Sequence, residues 1–348
     1  MLEALIQEIE MRKGELSTEQ IGTIYFGGGT PSVLSVNELQ ELIDVVYQNY
    51  TVSKNPEITL EANPDDLSKA KIIELAESPV NRLSIGIQSF FDDDLVLMNR
   101  AHNSIEAKES LLIASDYFDN ITIDLIYGIP NMTDDQWREN LQIAFDFGVN
   151  HISSYALTVE PKTALDAFIR QGKYPNVSEE TALAHFNILV SETEKQGFIQ
   201  YEISNFGKPN FFSKHNTSYW QGKSYLGIGP SAHSFHKNIR SWNISNNSTY
   251  LKNVHLGELP KEREILSVED RFNESIMTGL RTIWGVSLVE VEQNYGVKYR
   301  DFLMTNAQSF IKKELLVVSQ EDEKSQILKA TDKGKFLIDG IASDLFMI

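Results

Sequence analysis

Two groups of residues in this sequence have side-chain types and spacings that could do chemistry. The first begins at Tyr25-Phe26-Gly27-Gly28-Gly29-Thr30-Pro31-Ser32, which follows a short apolar run and precedes a helix-start signal. Consecutive glycines let backbone N–H and C=O groups approach a ligand with no Cβ in the way, and Thr30 adds a hydroxyl. The loop lacks the Gly-Lys-Ser/Thr of a phosphate-binding P-loop and the Gly-x-Gly-x-x-Gly of a dinucleotide loop. It reads as a cradle for some other nucleotide-like cofactor, the alternative being a tight strand-to-helix turn. Glu61, in Thr59-Leu60-Glu61-Ala62-Asn63-Pro64, could accept hydrogen bonds from a ligand ammonium or ribose hydroxyls; a solvated carboxylate is an equal reading. Gln88 offers an amide, and Arg100 offers a planar fork for a carboxylate, a surface arginine being the bland alternative. Asp124 is embedded in the apolar run Ile121-Thr122-Ile123-Asp124-Leu125-Ile126-Tyr127, where a carboxyl is costly unless a partner or ligand compensates it.

The second group is His215-Asn216-Thr217-Ser218-Tyr219-Trp220, followed by Tyr225-Leu226-Gly227-Ile228-Gly229-Pro230-Ser231-Ala232-His233-Ser234-Phe235. Histidine, aromatic rings and glycines in one segment suit a flat aromatic ligand such as a porphyrin, with histidine as an iron ligand. A histidine that only hydrogen-bonds its own loop is the competing reading.

The elements that must position these residues are short apolar runs separated by helical patterns. Gly22–Phe26, Glu57–Glu61, Arg82–Ile87, Ile121–Ile126, His151–Leu157 and Ile199–Ile203 read as strands, most without polar alternation, as for strands buried on both faces. Ser35-Val36-Asn37-Glu38 and Thr133-Asp134-Asp135-Gln136 are capping boxes that open helices. Alternation of strand and helix to about residue 205 predicts βα units and a parallel sheet, whose ligands sit at the carboxyl ends of the strands. Residues 206–264 read as irregular, ligand-lining sequence. Residues 265–348 read as a smaller helical, winged-helix-like module with a hairpin from Leu316-Val317-Val318 and Gln326–Ala330. The expected division is thus 1–205, 206–264 and 265–348.

With 41% apolar and 23% charged residues the chain has ordinary globular composition. A formal charge of −18, with no basic run to offset it, disfavours nucleic acid as a partner and favours a packing role for the winged-helix-like module. No apolar stretch is long enough to span a bilayer, and the acidic amphipathic start, Met1 to Glu10, is unlike a signal peptide; a cytoplasmic location is expected. The absence of cysteine excludes disulfides, a thiol nucleophile and any cysteine-ligated metal within these residues.

Taken in this order, the segments resemble the HemN/HemW group of radical S-adenosylmethionine (SAM) proteins, the oxygen-independent coproporphyrinogen oxidase-like family, over essentially the whole chain. The His-Asn-x-x-Tyr-Trp string at His215–Trp220 resembles the haem-chaperone branch more than the oxidase. The resemblance implies an incomplete parallel (β/α) barrel of radical SAM type with a smaller carboxy-terminal helical domain. It implies that Gly28, Gly29 and Thr30 hold the methionyl end of SAM. Glu61, Gln88, Arg100, Asp124 and Ala156 match the other SAM-contacting positions, and His215 the histidine linked to haem. The implied function is haem binding and delivery to an acceptor protein, with peripheral contact at the membrane where that acceptor is a membrane protein. The alternative is oxidative decarboxylation of a coproporphyrinogen. No catalytic residue is assigned.

Family members carry a Cys-x-x-x-Cys-x-x-Cys loop whose thiolates hold a [4Fe–4S] cluster. This chain begins at what reads as the following helix, as a truncated or mis-started reading frame would; the alternative is a degenerate homologue that keeps a haem or SAM pocket. It has no thiolate to ligate the cluster, so reductive SAM cleavage is not expected of it. The strand Gly22–Phe26 would then present an apolar edge, which favours a homodimer.

Overall fold

The computed structural model describes residues 1–320 and 326–348. Two compact units emerge. One comprises Thr23–Val36 and Glu57–Ser213; the other comprises Met1–Gly22, Asn37–Pro56 and Lys214–Ile348.

The first unit is organised by a seven-stranded sheet that curls as a half-barrel. Its strands are β1 (Ile21–Phe26), β2 (Val52–Ala62), β3 (Arg82–Gln88), β4 (Ile121–Tyr127), β5 (His151–Ala156), β6 (Ile199–Glu202) and β7 (Asn205–Gly207), in the spatial order β1-β2-β3-β4-β5-β7-β6. Pairing from β2 through β5 is parallel. The predicted apolar runs form these strands because both faces are covered: Leu60, Leu83, Ile85, Ile87, Ile123, Leu125 and Ile152 are fully buried. Helices Lys69–Ala76, Ser104–Tyr117 and Asp134–Asp146 supply the crossovers. The last opens with its predicted capping box, Gln136 N–H donating to Thr133 Oγ1 (3.2 Å) and Thr133 N–H to Gln136 Oε1 (3.0 Å). Polar groups plug the amino ends of the strands. Arg82, the first residue of β3, donates to Asn120 Oδ1 and Thr122 Oγ1, both at 2.5 Å, and His151, the first of β5, lies 2.7 Å from Tyr201 Oη.

The sheet departs from the expected parallel order at its far edge. The run expected as the single strand Ile199–Ile203 is the first half of a hairpin, β6–β7, and β7 joins β5 antiparallel. Only Ile203 and Ser204 separate β6 from β7, far too few residues for a crossover, so antiparallel pairing is the one geometry available.

Residues 206–264, read above as irregular, carry regular structure: the end of β7 in the first unit and, in the second, helix Lys214–Trp220, an antiparallel sheet in the order β10-β9-β8, and helix Asn247–His255. The strands are β8 (His233–His236), β9 (Ile239–Asn243) and β10 (Lys261–Ile265). β10 escaped notice because all five of its residues are exposed and four are charged, which is the pattern of a protected sheet edge. The amino-terminal helix Leu2–Met11 belongs with these elements rather than with the strands that follow it. Its Glu8 is fully buried and accepts from Arg12, Gly229 N–H, Asn243 Nδ2 and Tyr250 Oη. A buried carboxylate needs such partners, and residues 229–250 provide three of them. The predicted hairpin forms as β12 (Leu316–Gln320) against β13 (Gln326–Ala330), joined by the short β11 (Val286–Ser287); with helices Val268–Leu280, Leu288–Tyr295 and Val297–Lys312 it completes the winged-helix-like module.

Candidate functional site

In the first unit the polar residues singled out in the sequence gather at the carboxyl ends of the strands. β1 delivers the glycine loop, whose Gly28 and Gly29 have φ of +76° and +77°. An added Cβ at either would meet nothing within 4 Å, so the glycines are required by backbone conformation, and the space they leave is open. Gly27 is different: a Cβ there would come within 2.5 Å of the Tyr25 ring and 2.9 Å of Glu61 Oε1.

Glu61 is held from two sides. Tyr25 Oη donates to Oε1 (2.7 Å) and Gly28 N–H donates to Oε2 (3.1 Å), which ties the loop to the end of β2. Burial and the Glu61 charge push the Tyr25 phenol far up, so it remains a donor. On the next strand Ser84 stands in register with Glu61.

Asp124 lies on β4 in register with Ser153 of β5. Its carboxyl is pushed up to about 7, first by burial and then by the charge of Glu61; the Ser153 hydroxyl and Arg100 pull the other way. A buried carboxyl that a neighbouring carboxylate raises in this way makes an electrostatic basin for a cation, whose arrival would restore the ionised form of Asp124.

Gln88, predicted just beyond its strand, is the last residue of β3, where the register against β4 slips and φ becomes +66°. The twist turns its amide over Gly86: a Cβ at Gly86 would meet Gln88 Nε2 at 2.9 Å and Arg100 Nη2 at 3.3 Å. Arg100 donates to Asn63 Oδ1 (2.8 Å), Asn63 Nδ2 donates to Asp66 Oδ2 (3.3 Å), and Ser32 Oγ donates to the same oxygen (2.6 Å). A chain of side chains thus connects the glycine loop to Arg100. His102 braces the same corner, its Nε2 lying 3.1 Å from the carbonyl of Ile87. Ala156 ends β5 opposite Tyr127. Thr30 is exposed and caps the short turn Pro31–Val33. Sequence reasoning missed Asn63, Asp66 and Ser153 as parts of this corner, and took Ser32 only as the end of the glycine loop. Asn63 and Asp66 sit two and five residues past Glu61, but nothing local ties them to the site, because the partners that do so, Arg100 and Ser32, lie more than thirty residues away.

This set combines hydrogen-bond donors and acceptors, a guanidinium, two acidic groups and open glycines. It suits a zwitterionic or cationic ligand carrying a carboxylate, and so fits SAM, whose amino-acid end, ribose and sulfonium offer those complements. Among the described residues no group of three or more His, Cys, Asp or Glu side chains could hold a metal ion. Nor is there any cysteine, so the residues in hand do not fit a thiolate-bound cluster.

In the second unit, His215 and Tyr219 share one face of helix Lys214–Trp220, four residues apart. The Tyr219 and Tyr225 rings lie 4.7 Å apart, and Tyr225 Oη donates to Tyr219 Oη (3.0 Å). Tyr225 bridges to Phe235 of β8 through both backbone hydrogen bonds, their rings 6.2 Å apart. Trp220 is covered by the Arg281 guanidinium, 5.0 Å from its ring. His215 thus shares a helix with Tyr219, whose ring packs on Tyr225 and, through Tyr225, is linked to Phe235.

Residues 3–144 match the Radical SAM superfamily, and residues 266–337 match the HemN C-terminal domain. The heme chaperone HemW of Lactococcus lactis subsp. lactis (strain IL1403) is 33% identical over 98% of this chain and 90% of its own length. The protein of the same name from Bacillus subtilis (strain 168) is 34% identical over 85% and 79%. The solved coproporphyrinogen III oxidase HemN of Escherichia coli, a radical SAM enzyme, superposes with a TM-score of 0.83 at 22% identity, covering 99% of this chain and 82% of that one. That likeness shows the fold, an incomplete barrel with a helical carboxy-terminal domain. No helix among the described residues is long and apolar enough to cross a membrane.

Proposed function

This chain belongs to the HemW family of radical SAM proteins, and we propose that it binds haem and hands it to an acceptor protein. The observation that carries the reading is the His215-Asn216-x-x-Tyr219-Trp220 helix, set against Tyr225 and Phe235 within a chain that aligns with HemW proteins over nearly its whole length. In this reading His215 supplies an imidazole to the iron and the neighbouring rings cover a porphyrin face. The acceptor is a haem-requiring protein, soluble or at a membrane surface. Release is feasible because a helical histidine with rings on one side holds haem less completely than a closed pocket does.

The carboxyl-end corner of the half-barrel is, in the same reading, a SAM site. Gly28, Gly29 and Thr30 face the methionyl end, Arg100 and Gln88 meet carboxylate and polar groups, and Glu61 accepts from the ammonium or from ribose hydroxyls. Asp124 offsets the sulfonium charge, and Ala156 lines the wall. The fit rests on the open space above Gly28 and Gly29 and on the paired acidic groups. When bound beside an electron donor, SAM supplies a reductively cleavable sulfonium; the residues described here bind and orient it.

Haem transfer tests the reading. The chain is loaded with one equivalent of ferric haem and mixed with an apo-haemoprotein whose own Soret band is distinct. Movement of the band to the acceptor at a rate that rises with acceptor concentration supports delivery. A loaded chain that keeps its haem, or that releases it no differently from serum albumin, refutes it.

A further inference from the structure

Haem carries two propionates, so a site on a chain of net charge −18 must answer them with a local cation. Arg281, Lys214 and Arg240 are cations on or near the aromatic wall. Arg281 is occupied, stacked on Trp220 and paired with Asp339, and its side chain is only 16% exposed. Lys214 immediately precedes His215 on the helix and so points off the face that His215 shares with Tyr219. Arg240 is placed otherwise. It stands on β9 directly opposite Phe235 of β8, so both side chains leave the same face of the antiparallel pair. Phe235 in turn packs on Tyr225, and Tyr225 on Tyr219.

Arg240 is half-exposed, at 34%, and its Nη2 lies 2.8 Å from Glu274 Oε1, with Glu274 equally exposed. The Tyr225 phenol is pushed up chiefly by burial and by its hydrogen bond to Tyr219, and it feels both charges of this pair, Arg240 lowering and Glu274 raising it. The Arg240 head is therefore near the tyrosine pair as well as in register with Phe235. An exposed pair of this kind is weak, so its guanidinium can exchange a carboxylate of the protein for one of a ligand at little cost. A guanidinium fork matches a carboxylate in two parallel hydrogen bonds, and the other guanidinium near this wall, Arg281, is already engaged by Trp220 and Asp339.

We propose that Arg240 is the propionate anchor of the haem site, exchanging its Glu274 partner for a haem carboxylate when haem docks on the Tyr219–Tyr225–Phe235 wall. The inference rests on the haem reading above. It adds a chemical requirement: the cargo must carry a free carboxylate, and haem is distinguished from neutral metalloporphyrins at this residue. Glu274 then acts as the competitor that holds Arg240 extended in the unloaded chain.

The test compares ferric haem with its dimethyl ester, which keeps the ring and iron but has no carboxylate charge. Both are titrated into the full chain and followed at the Soret band in detergent-matched buffer. Wild type should prefer haem by about tenfold, the equivalent of one charge-assisted carboxylate contact. Arg240→Gln should bring that ratio close to one by weakening haem and leaving the ester unchanged, and Arg240→Lys should restore part of it. Glu274→Gln should raise the ratio, because it removes the competitor. That last variant keeps Arg240 in place and decides the matter should Arg240→Gln fail to fold. A merely structural ion pair would move both ligands together in every variant. Equal affinity of wild type for haem and ester, or a ratio unchanged in Arg240→Gln or Glu274→Gln, overturns the assignment of Arg240. Failure of wild type to take up either porphyrin overturns the haem reading itself, and the anchor with it.

Discussion

The Asp124 carboxyl offers a quantitative check on the half-barrel site without any ligand. Its position moves from the ordinary 3.8 to about 7 on folding, through burial first and the Glu61 charge second. The native state therefore binds more protons than the unfolded state between these values, and Asp124 makes the protein less stable as pH rises through that window. Taken at face value the difference corresponds to about 4 kcal/mol at pH 8. Water entering the open corner and relaxation around the carboxylate reduce this to ~2 kcal/mol. Asp124→Asn keeps the shape and an acceptor for the Ser153 hydroxyl but never ionises. The variant should match wild type near pH 3, below the ordinary carboxyl value, and exceed it by about 2 kcal/mol at pH 8, or roughly 3 °C in Tm for a chain of this size. Thermal unfolding by circular dichroism across about pH 3–8.5 reads this, and the difference between the two proteins removes other groups such as Asp94, which burial also raises. A difference curve that is flat with pH, or a variant less stable at pH 8, would refute the picture of two opposed carboxyls awaiting a cation. SAM should also narrow the gap at pH 8 in wild type, because its positive charge relieves the same repulsion.

Further substitutions test the neighbouring parts. Gly28→Ala places a Cβ at φ +76° with nothing of the protein to strike, so its stability cost should be only about 1–2 kcal/mol, while SAM affinity measured by calorimetry should fall much further because the methyl enters the ligand's space. Unchanged affinity would mean that the open space above the loop is not used. Asp66→Ala touches no expected ligand atom, yet it frees Ser32 and Asn63 and with them the orientation of Arg100. A loss of SAM affinity of about five- to tenfold is expected, corresponding to one buried hydrogen-bond relay; equal affinity would show that Arg100 is set by other contacts.

Much of the half-barrel was readable because strands buried on both faces are predominantly apolar, as Leu83–Ile87 and Ile121–Ile126 are. The glycine loop, Glu61, Gln88, Arg100 and Asp124 were readable because parallel sheets present their carboxyl-end residues to ligands. What escaped reading depends on contacts between distant segments. The relay from Ser32 through Asp66 and Asn63 to Arg100 consists of ordinary polar residues whose meaning appears only when strands align. Glu8 sits on a helix that looks amphipathic and acidic, and only residues 229–250 reveal that it is buried and bound. β10 is masked by its charges, and the β6–β7 hairpin by a two-residue link inside what reads as one strand and its tail. Arg240 has no sequence signature, since its register with Phe235 is created by a hairpin.

Haem uptake through His215 is the central claim. Equilibrium titration of ferric haem into the purified chain, followed at the Soret band for wild type and His215→Ala, addresses that directly. A saturable, shifted band at one haem per chain is expected for wild type. In the variant, binding should weaken at least about tenfold, with an altered band position, while its thermal unfolding stays close to wild type. A folded wild-type chain that gives no Soret shift, or a His215→Ala chain that binds with the same affinity and spectrum, would contradict the account.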